Sequence, residues 1–187
     1  MRESPPIIVG LDPGLSGGVA VIGPAGIETW PMPSIEVKTG HVLDVAALRI
    51  WLAFRCVPGG LGVHAFLEYA QAMPALPPGV AVAHGKPATY RGQGASSAFK
   101  YGRTWGEIHA VLVCLGLPYT VVHPAWWTKL IHTGIEAADS KARSRIALQR
   151  LFPQINLAPP RGHKPHEGMM DALLIAEYGR RTLGVTQ

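Results

Sequence analysis

Residues 7–22 read IIVGLDPGLSGGVAVI, and this stretch decides the fold class of the chain. Its first five residues form an apolar, largely β-branched run that ends at Asp12-Pro13-Gly14, which is typical of a buried strand that stops at a turn. A second apolar run, 17–22, and a short third run, 27–30, follow across glycine-rich turns. Three strands joined by tight turns predict an antiparallel meander.

The rest of the chain alternates between helical and strand patterns. Apolar residues at helical spacing between Asp44 and Phe54, with Asp44 as the N-cap, predict a crossover helix. A fourth strand over 63–67 is expected to end at Glu68. The remaining expected elements are a helix over 96–115 that stops at Gly116, a strand over 119–122, and helices over 126–131, 139–151 and 167–181. This order predicts an α/β fold of the RNase H-like type, with a mixed five-stranded sheet flanked by helices.

Length and composition favour one folded unit. With 187 residues and 48% hydrophobic content the chain can build a real core, and we interpret residues 1–187 as one RNase H-like domain. Residues 70–95 are rich in proline and glycine without a sustained period, which predicts a long loop insertion. Cys56 and Cys114 lack the spacing of a disulfide framework or a metal site, so we expect two buried thiols in a reducing compartment.

Targeting signals are not visible in the sequence. The apolar runs are too short to cross a bilayer, and the N-terminus lacks the basic-then-apolar layout of a signal peptide. We therefore expect a protein without membrane contact that is not secreted. Its expected location is the cytoplasm of a bacterial or phage-infected cell, or the interior of an organelle.

Charge is divided unevenly along the chain. Residues 1–85 hold four Lys/Arg and six Asp/Glu, a formal charge of −2, whereas residues 86–187 hold thirteen and six, a formal charge of +7. A basic half favours binding to a polyanion, and nucleic acid is the commonest polyanion that soluble proteins bind. The charge pattern therefore indicates a nucleic-acid partner.

Four of the twelve acidic residues occupy unusual positions. Asp12 and Glu68 each end an otherwise apolar strand, where a carboxylate is desolvated unless a cation or hydrogen-bond donors compensate. Asp171 opens the apolar face of the last helix, and Glu167 lies one turn before it. We expect the other eight to be solvated in helices or turns: Glu3, Glu28, Glu36, Asp44, Glu107, Glu136, Asp139 and Glu177.

Converging carboxylates attract hard divalent cations such as Mg²⁺ or Mn²⁺, because metal charge relieves their mutual repulsion. Two such ions about 3.5–4 Å apart activate water and stabilise the leaving oxygen in hydrolysis of a phosphodiester. A purely structural alternative assigns helix capping to Asp12 and Asp171 and an edge hydrogen bond to Glu68.

Several stretches, taken in order, resemble RuvC-type Holliday-junction resolvases of the RNase H-like superfamily, and the phage and plastid branches in particular. The opening motif IVGLDPGLSGGVA looks like the first strand and turn of that family, and Phe66-Leu67-Glu68 looks like its second acidic strand end. The further matching motifs are 92–103, 123–129, 140–143 and 167–176. Together they run from about residue 7 to 182.

The resemblance implies a homodimer that binds a four-way DNA junction and makes paired, symmetric nicks with Mg²⁺, for which Mn²⁺ substitutes, with two ions in each active site. It assigns Asp12, Glu68 and Asp171 as metal ligands. The family places an acid or a histidine three or four residues before the last carboxylate. Three residues before it stands Gly168, so we favour Glu167 as the fourth ligand, with His166 as the alternative.

The resemblance also implies two groups of DNA contacts. The helices after the fifth strand are expected to meet the phosphate backbone through Lys129, Lys141, Arg143 and Arg145, although a solvated surface is an equal alternative for Arg145. The loop after the second acidic strand end is expected to enter the junction, where Tyr90 would stack on a base, with candidates Lys86, Tyr90, Arg91 and Gln93. Trp105, Ile108 and Leu112 are expected in the core or at a dimer interface.

Three rival functions share parts of this pattern. A non-catalytic module that binds branched DNA needs no acids, yet Asp12, Glu68 and Asp171 are all present. A sugar-kinase or actin-like phosphotransferase has a similar first hairpin but needs two such domains. An RNase H or transposase-like nuclease acting on linear substrate has the same metal chemistry, and only the 70–95 segment and the later basic motifs argue against it.

Overall fold

The computed structural model describes residues 6–38, 40–56, 62–70, 94–158 and 165–185. None of the helices in these ranges combines the length and the apolar character needed to span a membrane. The strands are β1 (Ile7–Asp12), β2 (Gly18–Gly23), β3 (Gly26–Pro31), β4 (Ser34–Val37), β5 (Gly40–Leu43), β6 (Val63–Glu68) and β7 (Tyr119–Val122). The helices are α1 (Val45–Cys56), α2 (Ala95–Cys114), α3 (Pro124–Ile131), α4 (Ser140–Leu151) and α5 (Glu167–Thr182).

The main sheet has five strands in the order β3-β2-β1-β6-β7. The first three strands form the expected antiparallel meander, whereas β6 and β7 run parallel to β1. This confirms the mixed five-stranded sheet that the sequence predicts. The mixture arises because β1 to β3 are joined by tight turns, while β6 and β7 each follow a helix that returns the chain to the same edge.

Two apolar layers cover the two faces of this sheet. On one face α5 lies directly on β1, since a Cβ atom at Gly10 would overlap the backbone oxygen of Ala172. Leu173 of α5 and Ile8 of β1 belong to this layer, to which α3 and α4 also contribute. The opposite face packs against α1 and α2. Alternation along β1 therefore sends successive side chains into two separate cores.

Trp105, Ile108 and Leu112 belong to the second layer. Ile108 and Leu112 are completely buried within the chain, and Trp105 packs against the same layer while half-buried. Their side chains are therefore core residues of this chain. Asp44 caps α1 as expected, because its Oδ1 accepts the backbone N–H of Ala47 at 2.9 Å.

The structure corrects three expectations. A separate two-stranded sheet, β4 and β5, was not predicted; each of its strands is only four residues long and most of its residues are exposed. Cys114 is exposed rather than buried, whereas Cys56 is buried as expected. Glu177 is only 1% exposed instead of solvated. Burial opposes its ionisation, but hydrogen bonds from Arg180 and Arg181 lower the pKa of its carboxyl.

Candidate metal centre and nucleic-acid interface

The first two candidate ligands lie at one edge of the main sheet. β1 and β6 are parallel neighbours with Leu11 opposite Leu67, so Asp12 and Glu68 follow at the next position of both strands. The carboxyl ends of neighbouring parallel strands form a common edge, where open α/β sheets build their sites. The strand pairing therefore brings together two acids that are far apart in the sequence.

The third candidate ligand reaches this edge through close backbone contact. Gly168, in the first turn of α5, forms a β-bridge with Gly17, and a Cβ atom at Gly168 would overlap the Gly17 backbone. Gly18, which pairs with Asp12 across the hairpin, meets the Gly168 backbone in the same way. Asp171 follows Gly168 by about one helical turn. Backbone contacts between glycines thus hold the start of α5 beside Asp12.

Burial and mutual repulsion shift the pKa values of the three acids in the same direction. Burial raises the pKa of Asp12 well above its usual range, and the charges of Glu68 and Asp171 raise it further. Burial, followed by the charge of Glu68, raises the pKa of Asp171 to about 7. The pKa of Glu68 is also raised, again mainly by burial. Three desolvated acids that repel one another form a site that calls for positive charge.

The donor set of this site fits a hard divalent cation, because carboxylate oxygens are the ligands that Mg²⁺ and Mn²⁺ prefer. Within the described ranges, no three His, Cys, Asp or Glu side chains are already grouped closely enough to hold a metal ion. Cation binding would therefore require the side chains of Asp12, Glu68 and Asp171 to converge further. A bound cation would relieve the repulsion that their pKa values record.

Neutral hydrogen-bond donors support two of the acids, and the sequence pattern did not reveal them. Trp127 of α3 donates its Nε1–H to Oε1 of Glu68 at 2.7 Å, and Trp105 of α2 donates to the backbone oxygen of Glu68 at 2.9 Å. Ser144 of α4, which is buried, hydrogen-bonds to Asp171. Buried apolar spacing hides such roles, since a tryptophan or serine on an inward face looks like ordinary core. The sequence offered one signal for a donor to Glu68. Trp127 comes shortly after β7, the strand that borders β6.

The phenol of Tyr101 also lies close to the acids. Burial raises its pKa, and the charges of Glu68 and Asp12 raise it further. Tyr101 lines a cavity of about 340 Å³ that runs beside Asp12 and the turn 13–17, with Lys100 on its rim. Only the family resemblance drew attention to the motif around Tyr101, and the position of its side chain beside the acids was not predicted.

Both candidates for the fourth ligand have other partners. Glu167 accepts from Lys141 Nζ at 2.6 Å and from Arg145 at 3.1 Å, and its side chain is 44% exposed. The hydrogen bond from Lys141 is the main cause of the lowered pKa of Glu167. His166 caps α5, with its Nδ1 accepting the backbone N–H of Met169 at 3.2 Å. The charge of Glu167 adds to the raised pKa of Asp171, after the larger effects of burial and of the Glu68 charge.

The basic residues differ in how freely they face solvent. Lys129 is exposed, and the side chain of Lys141 is 67% exposed although it pairs with Glu167. Arg143 is half-buried, and its Nε has no hydrogen-bond partner among the described residues. Arg145 is 43% exposed and pairs with Glu167. The four DNA contacts predicted in the loop lie outside the described residues: Lys86, Tyr90, Arg91 and Gln93.

A row of aromatic rings continues from the acidic strand end. Tyr69, directly after Glu68, stacks with His123 at a ring-centre distance of 6.2 Å, and His123 contacts Trp126 at the same distance. Tyr69 is 46% exposed and Trp126 is 61% exposed. The row therefore offers aromatic surface to solvent next to the candidate ligands.

The strand order, with an antiparallel meander followed by two parallel strands, is that of an α/β fold of the RNase H-like type. Comparison with protein-family models and with curated proteins gives no match. Among solved structures, Thermus thermophilus RuvC in complex with Holliday junction substrate is similar, with a TM-score of 0.50 and 13% identity over 96% of this chain and 98% of that chain. A second Thermus thermophilus RuvC structure has a TM-score of 0.49 and 16% identity over 96% and 97%. The chain has a RuvC-like fold.

Proposed function

We propose that this chain is a structure-selective endonuclease that makes paired, symmetric nicks in four-way DNA junctions by metal-dependent hydrolysis of phosphodiester bonds. The observation that carries the proposal is the set of three desolvated, mutually repelling acids at one sheet edge: Asp12, Glu68 and Asp171. The similar Thermus protein was solved with a Holliday junction, which supports the choice of substrate. The basic half of the chain supports a nucleic-acid partner.

In this proposal two Mg²⁺ ions, for which Mn²⁺ substitutes, are held by Asp12, Glu68 and Asp171, with Glu167 as the fourth ligand and His166 as the alternative. When bound, they supply activation of a water molecule and stabilisation of the leaving 3′-oxygen. The protein's own side chains would bind these ions and orient the DNA substrate. For Glu167 to act as a ligand, its salt bridges to Lys141 and Arg145 must open. The side chains of Lys141 and Arg145 would then be free to bind phosphates of the substrate.

Substrate contacts would come from two sides of the site. The exposed Lys129 and Lys141 would neutralise backbone phosphates, together with Arg143 if its guanidinium turns outward. Tyr69 offers an exposed aromatic face on which an unpaired base can stack. Paired nicks in a two-fold symmetric junction require two active sites, so we propose that the chain acts as a homodimer.

The experiment offers purified protein a labelled four-way junction, an RNA–DNA hybrid duplex and linear DNA, each with Mg²⁺, Mn²⁺ or EDTA. We expect symmetric, ligatable nicks in the junction only, with none in EDTA. Asp12→Asn should abolish cutting while junction binding remains, and Asp44→Asn, which keeps its helix cap, serves as the matched control. Equal cutting of linear DNA would instead indicate an RNase H or transposase-like nuclease. Junction binding without any cutting would indicate a non-catalytic module.

A further inference from the structure

Glu68 is held at both its backbone and its side chain by indole N–H groups from two different helices. Trp127 donates to the carboxylate Oε1 at 2.7 Å, and Trp105 donates to the backbone oxygen at 2.9 Å. We propose that Trp127 is a positioning residue that fixes the Glu68 carboxylate for cation binding, while Trp105 fixes the end of the strand that carries it. This inference rests on the proposed function of Glu68 as a metal ligand.

The chemistry of the donor decides what such a contact can do. An indole N–H donates one hydrogen bond and carries no charge. It therefore satisfies a desolvated carboxylate oxygen without cancelling the negative charge that attracts a cation. The bond engages Oε1 of Glu68, and within the described part of the chain the second carboxylate oxygen is left for coordination.

Glu167 shows the contrasting arrangement. One of its oxygens accepts from Lys141 and the other from Arg145, so both are held by cations. A metal ion must displace these positive charges before Glu167 can bind it. Glu68 needs no such exchange, and the structure therefore separates a carboxylate prepared for a cation from one that is already neutralised.

The position of the Trp127 donor is fixed by packing. Its side chain is 4% exposed in the core layer formed with α5, and its ring meets His132 edge-on at 5.8 Å. Trp126, the adjacent residue of α3, is 61% exposed. A buried ring has little freedom to rotate, so its N–H keeps one direction. Neighbouring tryptophans on one helix thus differ in role, and the exposed one provides a matched control.

Trp105 is held in a comparable way on the opposite face of the sheet. Its ring stacks on His109 at 5.1 Å, and His109 Nε2 hydrogen-bonds to the Tyr119 hydroxyl at 2.5 Å. Tyr119 begins β7, the neighbour of the strand that ends at Glu68. The backbone position of Glu68 is therefore tied to α2 and β7, and its side chain is tied to α3.

The test measures Mn²⁺ binding to the full chain without DNA, by electron paramagnetic resonance, for the wild type, Trp127→Phe and Trp126→Phe. Phenylalanine keeps an aromatic ring but removes the donor. Since outer partners of metal ligands typically contribute 10–100-fold in affinity, we expect Trp127→Phe to weaken Mn²⁺ binding by about that factor. Trp126→Phe should bind Mn²⁺ as the wild type does. Equal Mn²⁺ affinity of wild type and Trp127→Phe would overturn the inference.

A second measurement needs no substitution and covers the case in which Trp127→Phe fails to fold. In the ¹⁵N-labelled wild type, addition of Mg²⁺ should shift the indole N–H resonance of Trp127 and leave that of Trp126 in place. An unmoved Trp127 resonance at saturating Mg²⁺ would contradict the inference.

The junction-cutting assay distinguishes this inference from the proposed function. If Trp127→Phe lowers Mn²⁺ affinity but the wild type cuts no junction, the positioning role stands and the proposed substrate is wrong. If the wild type cuts junctions and Trp127→Phe matches it in both Mn²⁺ affinity and rate, the function stands and the positioning role is wrong.

Discussion

Replacing Asp171 by Asn should stabilise the metal-free protein at neutral pH, although Asp171 is a proposed metal ligand. Burial and the charge of Glu68 raise the pKa of the Asp171 carboxyl from 3.8 to about 7. A carboxyl whose pKa is raised by folding holds its proton more tightly in the folded chain. The free energy of unfolding therefore falls as pH rises between these two values, and the loss is complete above about pH 7.

The size of this loss follows from the pKa change. A difference of about three pH units corresponds to about 4 kcal/mol at 1.36 kcal/mol per unit, which is an upper bound. Asparagine carries no charge to desolvate, and it keeps a side-chain oxygen that can accept from Ser144. In Asp171→Asn we therefore expect up to this gain at pH 7.5. At pH 4, which is barely above the ordinary pKa of 3.8, we expect a gain of only about 0.5 kcal/mol.

Urea unfolding in EDTA between pH 4 and pH 8 measures the effect, with wild type, Asp171→Asn and the control Asp44→Asn. Asp44 is a helix cap outside the site, and asparagine retains its capping oxygen. The stability curves of wild type and control should fall together with rising pH, while that of Asp171→Asn should fall less. Parallel curves for all three proteins, or a less stable Asp171→Asn at pH 7.5, would refute the electrostatic account of the site.

Three further outcomes are expected. Glu167→Gln should reduce junction nicking more than His166→Ala in a nicking time course. The reverse ranking would make His166 the fourth ligand. His166→Ala removes a helix cap, which should cost about 1 kcal/mol in thermal unfolding. Lys129→Ala should reduce the steepness of log affinity against log salt concentration for junction binding by about 1, which corresponds to one counterion fewer released. An unchanged slope would show that Lys129 does not contact a phosphate. Gly168→Ala should destabilise the chain by at least about 2 kcal/mol in urea unfolding, because the added Cβ would overlap the Gly17 backbone. Gly106→Ala on α2 is the control. Its added Cβ would meet no atom within 4 Å, so it should be neutral or stabilising.

The sequence predicted the main sheet well, because its strands are strongly apolar and its turns are marked by glycine and proline. The strand at Tyr119–Val122 has the expected bounds, and α2 begins and ends within one residue of its expected limits. The exposed hairpin of β4 and β5 was missed, since no core fixes its apolar pattern. Local pattern therefore suffices where burial is strong and periodic.

Side-chain partners were less predictable than elements. Glu177 looks like a solvated acid at the end of a helix, yet it is buried under two arginines that follow it within the same helix. Trp127 occupies a core position by spacing, and only the fold reveals that its N–H faces Glu68. Asp12 and Glu68 were expected at strand ends, and Asp171 on the apolar face of the last helix. The glycine contact that holds the start of α5 against the hairpin was not predicted, because it depends on three-dimensional fit.

The seating of α5 also has a consequence for synthesis of the protein. Asp12 and Glu68 are made early, but Asp171 arrives only with the last described helix, whose docking on β1 and β2 needs the backbone contact at Gly168. Before that helix emerges from the ribosome, the cluster lacks one of its acids and the face of the sheet that α5 covers is open to solvent. Chains that end before this helix would thus lack Asp171, one of the three proposed ligands, and would leave the apolar face of the sheet around Gly10 uncovered.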